Sequence, residues 1–254
     1  MLSVDLNCDM GESTELWNYD IEKDFDLLNY VSSINIACSY HAGDIRTMER
    51  LTEKAINQNI SIGAHPSFPD KENFGRTNMQ LSRQRIYEIV KEQMTILNDV
   101  LKSHQKKIHH VKPHGALYNM AAKDKPIADA ICEAIKDFGK QIILYGLSGS
   151  ELIHSGKEAG LKTCSEVFAD RTYQEDGSLT PRTYPDALIE DAGKAATQVL
   201  QMIQHKSVIA TSGKEISLKA ETICVHGDGK HAVDFAKTIH DLLMKNNILI
   251  SSDK

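Results

Sequence analysis

The sequence lacks the features of proteins that bind nucleic acid or span membranes. Its 254 residues carry a formal net charge of −6, so they provide no basic surface for a polyanion. No apolar run approaches membrane-spanning length, and no basic and apolar leader opens the chain. We therefore expect a soluble cytoplasmic protein with a small-molecule substrate, and with neither nucleic acid nor membrane as a partner.

Cysteine pairs and phosphate-binding loops are missing as well. The five cysteines are odd in number and include no CxxC pair, which argues against a disulfide framework or a structural zinc site and suits a reducing compartment. The stretch at residues 146–150 lacks the Walker lysine and the full glycine pattern of nucleotide-binding loops. The sequence therefore contains no motif by which this chain alone would bind ATP.

The chain does contain a repeated order of strand, polar loop and helix. Because each intervening helix returns the chain to the same end of the sheet, the strands are predicted to be parallel. With no linker or low-complexity run, residues 1–254 are expected to form a single α/β domain. The seven predicted strands are residues 4–9, 33–38, 60–65, 109–112, 141–145, 161–168 and 222–226.

The polarity of these strands distinguishes a closed barrel from an open, doubly wound sheet. Strands of open parallel sheets are covered on both faces and are usually apolar throughout. The first strand instead alternates apolar Val4 and Leu6 with polar Asp5 and Asn7, and several later strands carry a similar polar stripe. We therefore predict a seven-stranded parallel β/α barrel, TIM-barrel-like, with a polar interior. Seven strands rather than eight would leave it slightly irregular or incompletely closed.

Local signals predict where several elements begin and end. Asp44 and Asp124 are typical N-cap residues, and Gly139 is a typical helix stop. Pro185 is predicted to open a long helix, because proline is favoured in a first helical turn. A small hairpin is predicted to turn at residues 212–213.

Ionisable side chains follow nearly every predicted strand. In a parallel barrel the carboxyl ends of the strands meet at one mouth, where α/β enzymes place their chemistry. Since unpaired charges are rarely buried, ionisable groups that converge there indicate a functional site. The groups concerned are Asp9, Glu12, His41, Asp44, His65, Lys112, His114, Glu166, Asp170, Arg171, His226 and Asp228.

Three interpretations of these strand ends remain open. They can form a metal site, for which Asp9, His41 and His65 from separate strands are the candidate ligands, since no HExxH helix pair is present. They can form a metal-free acid–base site, in which carboxylates and histidines move protons and Lys112 stabilises negative charge. They can also be a polar interior that is held by ion pairs and carries out no reaction.

Two long loops supply arginines above this mouth. Residues 66–80 carry Arg76, and residues 170–184 carry Arg171 and Arg182. Arginine pairs with carboxylate or phosphate through two parallel hydrogen bonds, so these loops suit an anionic ligand. Loops of this length often act as lids.

Six segments resemble a known family in motif order and along essentially the whole chain. They are DLNCDMGE at 5–12, INIACSYHAGD at 34–44, IGAHPSFPD with FGR at 62–70 and 74–76, VKPHGALYN at 111–119, FADRTYQEDGSLTPR at 168–182 and ICVHGD at 223–228. They are similar to the LamB/YcsF family. Ser39 stands where that family usually has glycine.

The resemblance implies both a fold and a reaction. The fold is a barrel of the glycoside hydrolase/deacetylase type, and the reaction is the ATP-dependent opening of 5-oxoproline (pyroglutamate) to L-glutamate. The implied partners are 5-oxoprolinase subunits B and C, which would use the ATP to phosphorylate the lactam carbonyl before this chain completes ring opening. Two alternatives remain: a stand-alone metal-dependent amidohydrolase or deacetylase that acts on a small amide, and a non-catalytic binding subunit.

This reaction needs a base for water and acids for the leaving groups. Asp9 or Glu166 is the candidate base, while Lys112 and His114 would stabilise developing negative charge. The candidate proton shuttles are His41, His65 and His226. The candidate substrate-binding residues are Asn7, Arg76, Asp170, Arg171, Arg182 and Asp228.

Overall fold

The structure, a computed structural model, describes residues 2–14, 20–226 and 232–252. Its strands are β1 (Ser3–Met10), β2 (Ser33–Ala37), β3 (Ser61–His65), β4 (His110–Val111), β5 (Ile143–Leu147), β6 (Thr163–Phe168), β7 (Ser207–Ile209), β8 (Glu215–Ser217), β9 (Thr222–His226) and β10 (Leu249–Ile250). Its helices are α1 (Ile21–Leu27), α2 (Ile45–Asn57), α3 (Arg83–Ser103), α4 (Gly115–Ala121), α5 (Lys125–Phe138), α6 (Glu151–Glu158), α7 (Ala192–Gln204) and α8 (Ala232–Lys245). A 3₁₀ turn (Leu28–Tyr30) follows α1.

A closed ring of parallel strands organises the fold. Among the described residues seven strands form it, in the order β1, β2, β3, β4, β5, β6 and β9, and β9 pairs again with β1. The predicted α/β parallel barrel is thereby confirmed. The expectation of incomplete closure is wrong, because β1 pairs along its length with both neighbours: Cys8 is in register with Ile34 on one side and with Val225 on the other.

Two small strand pairings lie outside this ring. The predicted hairpin is confirmed, since β7 and β8 are antiparallel and Gly213 turns between them with φ +85°. The strand β10 was not predicted. It pairs in parallel with the first residues of β1, where Ser3 is in register with Leu249.

The predicted helix ends are confirmed at two helices and wrong at a third. The side chains of Asp44 and Asp124 cap α2 and α5, and α5 ends at Gly139. The predicted start at Pro185 is wrong: α7 begins at Ala192, capped by Asp191. The preceding segment bonds across the loop, with the Ile189 amide donating to the Asp170 carbonyl, so its backbone is not free to continue a helix.

The helix α4 lies within a segment that was predicted only as the continuation of the fourth strand. No helix in the described parts of the chain has the combined length and apolar character needed to cross a membrane.

The two faces of β1 are both buried, but in different surroundings. Val4 and Leu6 belong to the main hydrophobic core, together with helix residues such as Leu51. Asp5 and Asn7, on the opposite face, are equally buried but bond to side chains of other strands inside the ring. The predicted polar interior is therefore present, and it leads toward the carboxyl ends of the strands.

Candidate active site

A buried lysine occupies the centre of the barrel interior. The ammonium group of Lys112 lies 2.9 Å from Asp9 Oδ1 and 2.8 Å from Glu166 Oε1, and donates to Asn7 Oδ1 at 3.2 Å. Burial lowers the pKa of Lys112, but the negative charges of Asp9 and Glu166 outweigh it and hold that pKa well above its usual range. Lys112 is therefore a permanent cation that joins two carboxylates.

Glu166 is fully buried, and both of its oxygens accept hydrogen bonds. Oε1 accepts from Asn7 Nδ2 at 3.0 Å, and Oε2 accepts from the hydroxyl of Tyr118 at 2.7 Å. Tyr118 lies on α4, one helical turn beyond His114. With Lys112 beside it, this carboxylate is held as a counterion by fixed donors.

Amide side chains extend the same network toward the far side of the barrel. Asn35 Nδ2 donates to Asn7 Oδ1 and to Asp9 Oδ1, both at 2.8 Å, while its own oxygen accepts from His110 Nε2 at 2.7 Å. The His110 ring lies so close to Gly63 that a Cβ there would be 2.2 Å from Nε2, so glycine is required at that position. We call the set Asn7, Asp9, Asn35, Lys112, Tyr118 and Glu166 the inner network.

Three histidines surround a single carboxylate oxygen above this network. Glu12 Oε1 lies 3.1 Å from His41 Nε2, 3.5 Å from His65 Nε2 and 3.0 Å from His114 Nδ1. The rings of His41 and His114 are stacked with centroids 3.9 Å apart, and His65 Nε2 lies 3.0 Å from His114 Nδ1. We call Glu12, His41, His65 and His114 the mouth cluster.

Backbone or hydroxyl oxygens hold the other nitrogen of each ring. His65 Nδ1 is 2.7 Å from the Lys112 carbonyl, and His114 Nε2 is 2.9 Å from the Phe74 carbonyl. His41 Nδ1 is 2.8 Å from Ser67 Oγ. These contacts fix each ring plane, so that the remaining nitrogens point at Glu12.

Neighbouring charges in the mouth cluster shift the pKa values of its members. Burial raises the pKa of Glu12, but His114 and His41 outweigh it and hold that pKa well below its usual range. Burial and the neighbouring His114 lower the pKa of His41 to about 3. Burial lowers the pKa of His65, but Asp9 and Glu12 outweigh it and the pKa is raised. A cation is therefore favoured between the carboxylates of Asp9 and Glu12.

Two backbone features bring the loops onto the mouth cluster. Gly75 has φ +65°, and a Cβ there would lie 2.9 Å from both His114 Cδ2 and His41 Cβ, so only glycine allows this approach. Ser39 also lies in the left-handed region, with φ +68°. This conformation explains why a glycine suits position 39, which the serine occupies at some cost in strain.

The loop arginines differ in what they contact. Arg171 is buried, and its Nε and Nη2 donate to the carbonyls of Ala187 and Thr180, so it braces its own loop. Burial, reinforced by Arg182, lowers the pKa of Arg171 to about 10. Arg76 is exposed and lies over the Phe74 ring at 4.9 Å, beside the mouth cluster. Arg182 is exposed and Asp170 is half-buried.

Most of the predicted catalytic residues come together. Two predicted site residues, His226 and Asp228, are described only in part or not at all. The backbone of His226 is in register with Asp9 at the end of β9, and Asp228 lies outside the described residues. Glu12 was recognised at a strand end but given no role. Tyr118 and Ser67 were missed, although both lie in segments that carry the family resemblance. The residues brought together are Asn7, Asp9, His41, His65, Lys112, His114 and Glu166.

One group of side chains in the described part of the chain has the composition and spacing of a metal site. The ligand atoms of the mouth cluster all lie within 4.8 Å of one another. This group shares His41 and His65 with the predicted ligand set. It has Glu12 and His114 where the prediction had Asp9, whose Oδ1 is bonded to Lys112 and whose Oδ2 is 3.4 Å from His65 Nε2.

Sequence comparison adds relatives that match from end to end. The LamB/YcsF family matches residues 4–253. The chain is 50% identical over 252 residues to the A subunit of 5-oxoprolinase from Tolumonas auensis, covering 99% of this chain and 100% of the relative. It is 48% identical over 254 residues to the corresponding A subunit from Geobacillus kaustophilus, covering 100% and 98%.

Solved structures with a similar fold fall into two groups. The crystal structure of the lactam utilization protein from Thermus thermophilus matches with a TM-score of 0.91 and 35% identity, covering 99% of this chain and 100% of that one. A T48 deacetylase matches with a TM-score of 0.51 and 11% identity, covering 99% and 89%. The second likeness concerns the barrel fold alone.

Proposed function

The chain belongs to the LamB/YcsF family, and we propose that it completes the hydrolytic opening of 5-oxoproline to L-glutamate as one of the subunits of an ATP-dependent 5-oxoprolinase. The observation that carries this proposal is the full-length identity of 47–50% to relatives named as the A subunit of 5-oxoprolinase. A match over both whole chains supports the same role more strongly than a shared motif would.

The ATP-dependent step is assigned to the partner subunits B and C. The relatives are named as A subunits, which implies that they act with other subunits. This sequence contains no phosphate-binding loop. A lactam amide is a poor electrophile, and phosphorylation of its oxygen creates a good leaving group. The buried, free thiols of all five cysteines support a cytoplasmic location.

Asp9 is the better candidate for the base that activates water. Both oxygens of Glu166 accept hydrogen bonds from fixed donors, whereas Asp9 Oδ2 faces His65 at the upper end of the network. In this scheme His65, whose pKa is raised by Asp9 and Glu12, holds a proton beside Asp9 and is a candidate proton shuttle.

Lys112 and His114 stabilise the negative charge that develops on the substrate oxygen during ring opening. His41 belongs to the same cluster, and the backbone of His226 is in register with Asp9 on β9, so both remain candidate proton shuttles. Asn7 acts within the inner network, where it orients Lys112 and Glu166.

Arg76 is the best-placed residue for the substrate carboxylate. It is exposed and lies over Phe74, whose carbonyl holds His114. Arg171, by contrast, positions the loop at residues 170–191 through backbone carbonyls. Arg182, Asp170 and Asp228 are proposed as additional substrate contacts, as the sequence predicts.

Reconstitution with subunits B and C tests the proposal. Glutamate release and ATP hydrolysis are measured with all three subunits and with each omitted in turn. We expect glutamate only from the complete mixture. Full glutamate release without this chain would give it a non-catalytic role and would overturn the proposal.

The mouth cluster supports a second candidate, a stand-alone metal-dependent amidohydrolase or deacetylase. Three imidazoles and one carboxylate are suitable ligands for zinc. Hydrolysis of a small amide by this chain alone, without ATP and with loss of activity on chelator treatment, would favour this candidate over the 5-oxoprolinase role.

A further inference from the structure

The rings of His65 and His114 in the mouth cluster face each other through nitrogens that both carry lone pairs when the rings are neutral. A carbonyl oxygen can only accept, so the Lys112 carbonyl requires the proton of His65 on Nδ1, and the Phe74 carbonyl requires the proton of His114 on Nε2. The other two nitrogens, His65 Nε2 and His114 Nδ1, therefore carry lone pairs when the rings are neutral. These two atoms are 3.0 Å apart.

The third ring has the same arrangement. The hydroxyl of Ser67 donates its one proton to the Phe68 carbonyl at 2.9 Å, so its oxygen accepts from His41 Nδ1. His41 Nε2 then carries a lone pair as well. It points at Glu12 Oε1, which is itself an acceptor, at 3.1 Å.

When the three rings are neutral, four acceptor atoms thus converge on one small space. An assembly of this kind is repulsive unless a cation lies among the four atoms. One proton can be shared at any moment by only two of them, whereas a metal ion accepts a lone pair from each. The cluster is fully or mostly buried, with Glu12 the most exposed at 13% of its side-chain surface, so an ion would enter from the Glu12 side.

Four of the six distances among these atoms agree with tetrahedral coordination, and all four atoms lie within 4.8 Å of one another. Bonds of about 2.0–2.1 Å to a tetrahedral ion place neighbouring ligand atoms about 3.4 Å apart. Glu12 Oε1 lies 3.0–3.5 Å from the three ring nitrogens. We propose that the mouth cluster binds one zinc-type divalent ion through His41 Nε2, His65 Nε2, His114 Nδ1 and Glu12 Oε1.

The donor set also selects the kind of metal. Imidazole suits zinc and other late first-row ions, whereas calcium and magnesium prefer sites made of oxygen ligands. The second nitrogen of each ring is held by Ser67 or a backbone carbonyl, which is the outer-shell support usual for metal-bound histidine. The inference concerns binding alone and does not depend on the reaction proposed above.

Metal titration of the full chain tests the site directly. The purified protein is stripped with a chelator and titrated with Co²⁺, whose visible spectrum reports coordination number, and Zn²⁺ is then added as a competitor. We expect one Co²⁺ per chain with the absorption of a four-coordinate site, displaced by one equivalent of Zn²⁺. Elemental analysis after gel filtration gives the zinc stoichiometry independently.

Variants identify the ligands. His41→Ala and His114→Ala should each weaken binding by at least about 100-fold, because a lost ligand costs more than the 10–100-fold typical of an outer-shell partner, which is the loss expected for Ser67→Ala. His154→Ala is the matched control, since His154 pairs with Glu158 on the surface of α6 and should leave binding unchanged. If an alanine variant does not fold, His41→Gln and Glu12→Gln replace it with side chains of similar shape.

Two results would overturn the proposal. One is a folded wild-type chain, judged by circular dichroism, that binds no stoichiometric Co²⁺ or Zn²⁺. The other is a loss of binding in His154→Ala as large as in the cluster variants, which would place the ion elsewhere. Neither result would affect glutamate formation with subunits B and C, so the two proposals fail separately.

Discussion

The inner network and the mouth cluster lie next to each other but differ in how their polar atoms are matched. In the inner network donors meet acceptors: the ammonium of Lys112 lies between Asp9 and Glu166, and Tyr118 donates to the remaining oxygen of Glu166. In the mouth cluster acceptors meet acceptors around Glu12. The buried polar interior therefore contains both a matched network, which stabilises the barrel, and a group of facing acceptors, which is the proposed site for a cation.

The largest effect is expected when the inner network loses its cation. Lys112→Met leaves two carboxylates buried without a counterion, which costs about 3–5 kcal/mol. The free energy of unfolding in urea should fall by this amount, and glutamate formation should be lost. This loss of stability is expected because the ammonium of Lys112 contacts both Asp9 and Glu166.

Lys102→Met is the control for this substitution. Lys102 pairs with Asp99 at 2.9 Å on the surface of α3, where both side chains are more than half exposed. Its loss should change the free energy of unfolding by less than about 1 kcal/mol. Equal losses in the free energy of unfolding of the two variants would show that burial does not increase the contribution of the ion pairs of Lys112.

The opposite pattern is expected in the mouth cluster. Glu12→Gln keeps the shape of the side chain and provides an amide proton for one of the facing nitrogens, so the chelator-treated chain should lose only about 1 kcal/mol or less. Glutamate formation in the reconstituted complex should nevertheless fall by at least about 100-fold, the scale of a lost acid–base or electrostatic contribution.

The matched control is Glu133→Gln, whose carboxylate pairs with Arg83 at 2.9 Å on the surface. It should change neither stability nor activity. Full activity of Glu12→Gln would show that the mouth cluster takes no part in the reaction. A loss of stability as large as that of Lys112→Met would show that the two regions do not differ in how they stabilise the fold.

A smaller effect is expected from a single bond of the inner network. Tyr118→Phe removes the hydroxyl that donates to Glu166 Oε2 and leaves a buried charged oxygen with one donor fewer. Hydrogen bonds to charged groups contribute about 1.5–3 kcal/mol, so the free energy of unfolding should fall by about 2 kcal/mol. Tyr87→Phe, where the hydroxyl donates to Asp137 at 3.1 Å on the surface, should be nearly neutral. Similar values for the two variants would contradict a matched, buried network.

The sequence predicts which residues gather in these regions better than it predicts how they bond. Alternation along β1 placed Asp5, Asn7 and Asp9 inside the barrel, and parallel strands necessarily bring their ends to one mouth. The tautomer of His65 is a different matter. It depends on a carbonyl 47 residues away, and only the folded backbone brings that oxygen within 2.7 Å.

The wrong start of α7 has a similar cause. Proline is favoured in a first helical turn, and this local preference predicted a helix from Pro185. A long-range contact overrides it, because Leu188 pairs with Arg171 in a short antiparallel bridge. The cap at Asp191 then becomes the first position where the backbone is released to form a helix.

A pH-dependent effect is expected at Asp24, which lies on α1 and contacts the residue before Glu12. Its Oδ2 accepts from the Gly11 amide at 2.9 Å, next to Glu12, while its Oδ1 has no hydrogen-bond partner among the described residues. Burial raises the pKa of Asp24 from 3.8 to about 8, although the Gly11 amide opposes the shift. The carboxyl is therefore protonated in the folded chain at neutral pH.

The sign of the resulting pH dependence follows from proton binding. Between the two pKa values of Asp24, 3.8 when unfolded and about 8 when folded, the folded state holds more protons, so its stability falls as pH rises and levels off above pH 8. Asp24→Asn keeps an acceptor for the Gly11 amide but cannot ionise. The variant should match the parent near pH 4 and exceed it by at least about 1 kcal/mol at pH 9, measured by urea unfolding. Asp26→Asn, on the exposed side of α1, should show no such divergence. Parallel stability curves for Asp24→Asn and the parent would mean that this carboxyl is charged in the fold, with a donor for Oδ1 that the contacts of Asp24 do not include.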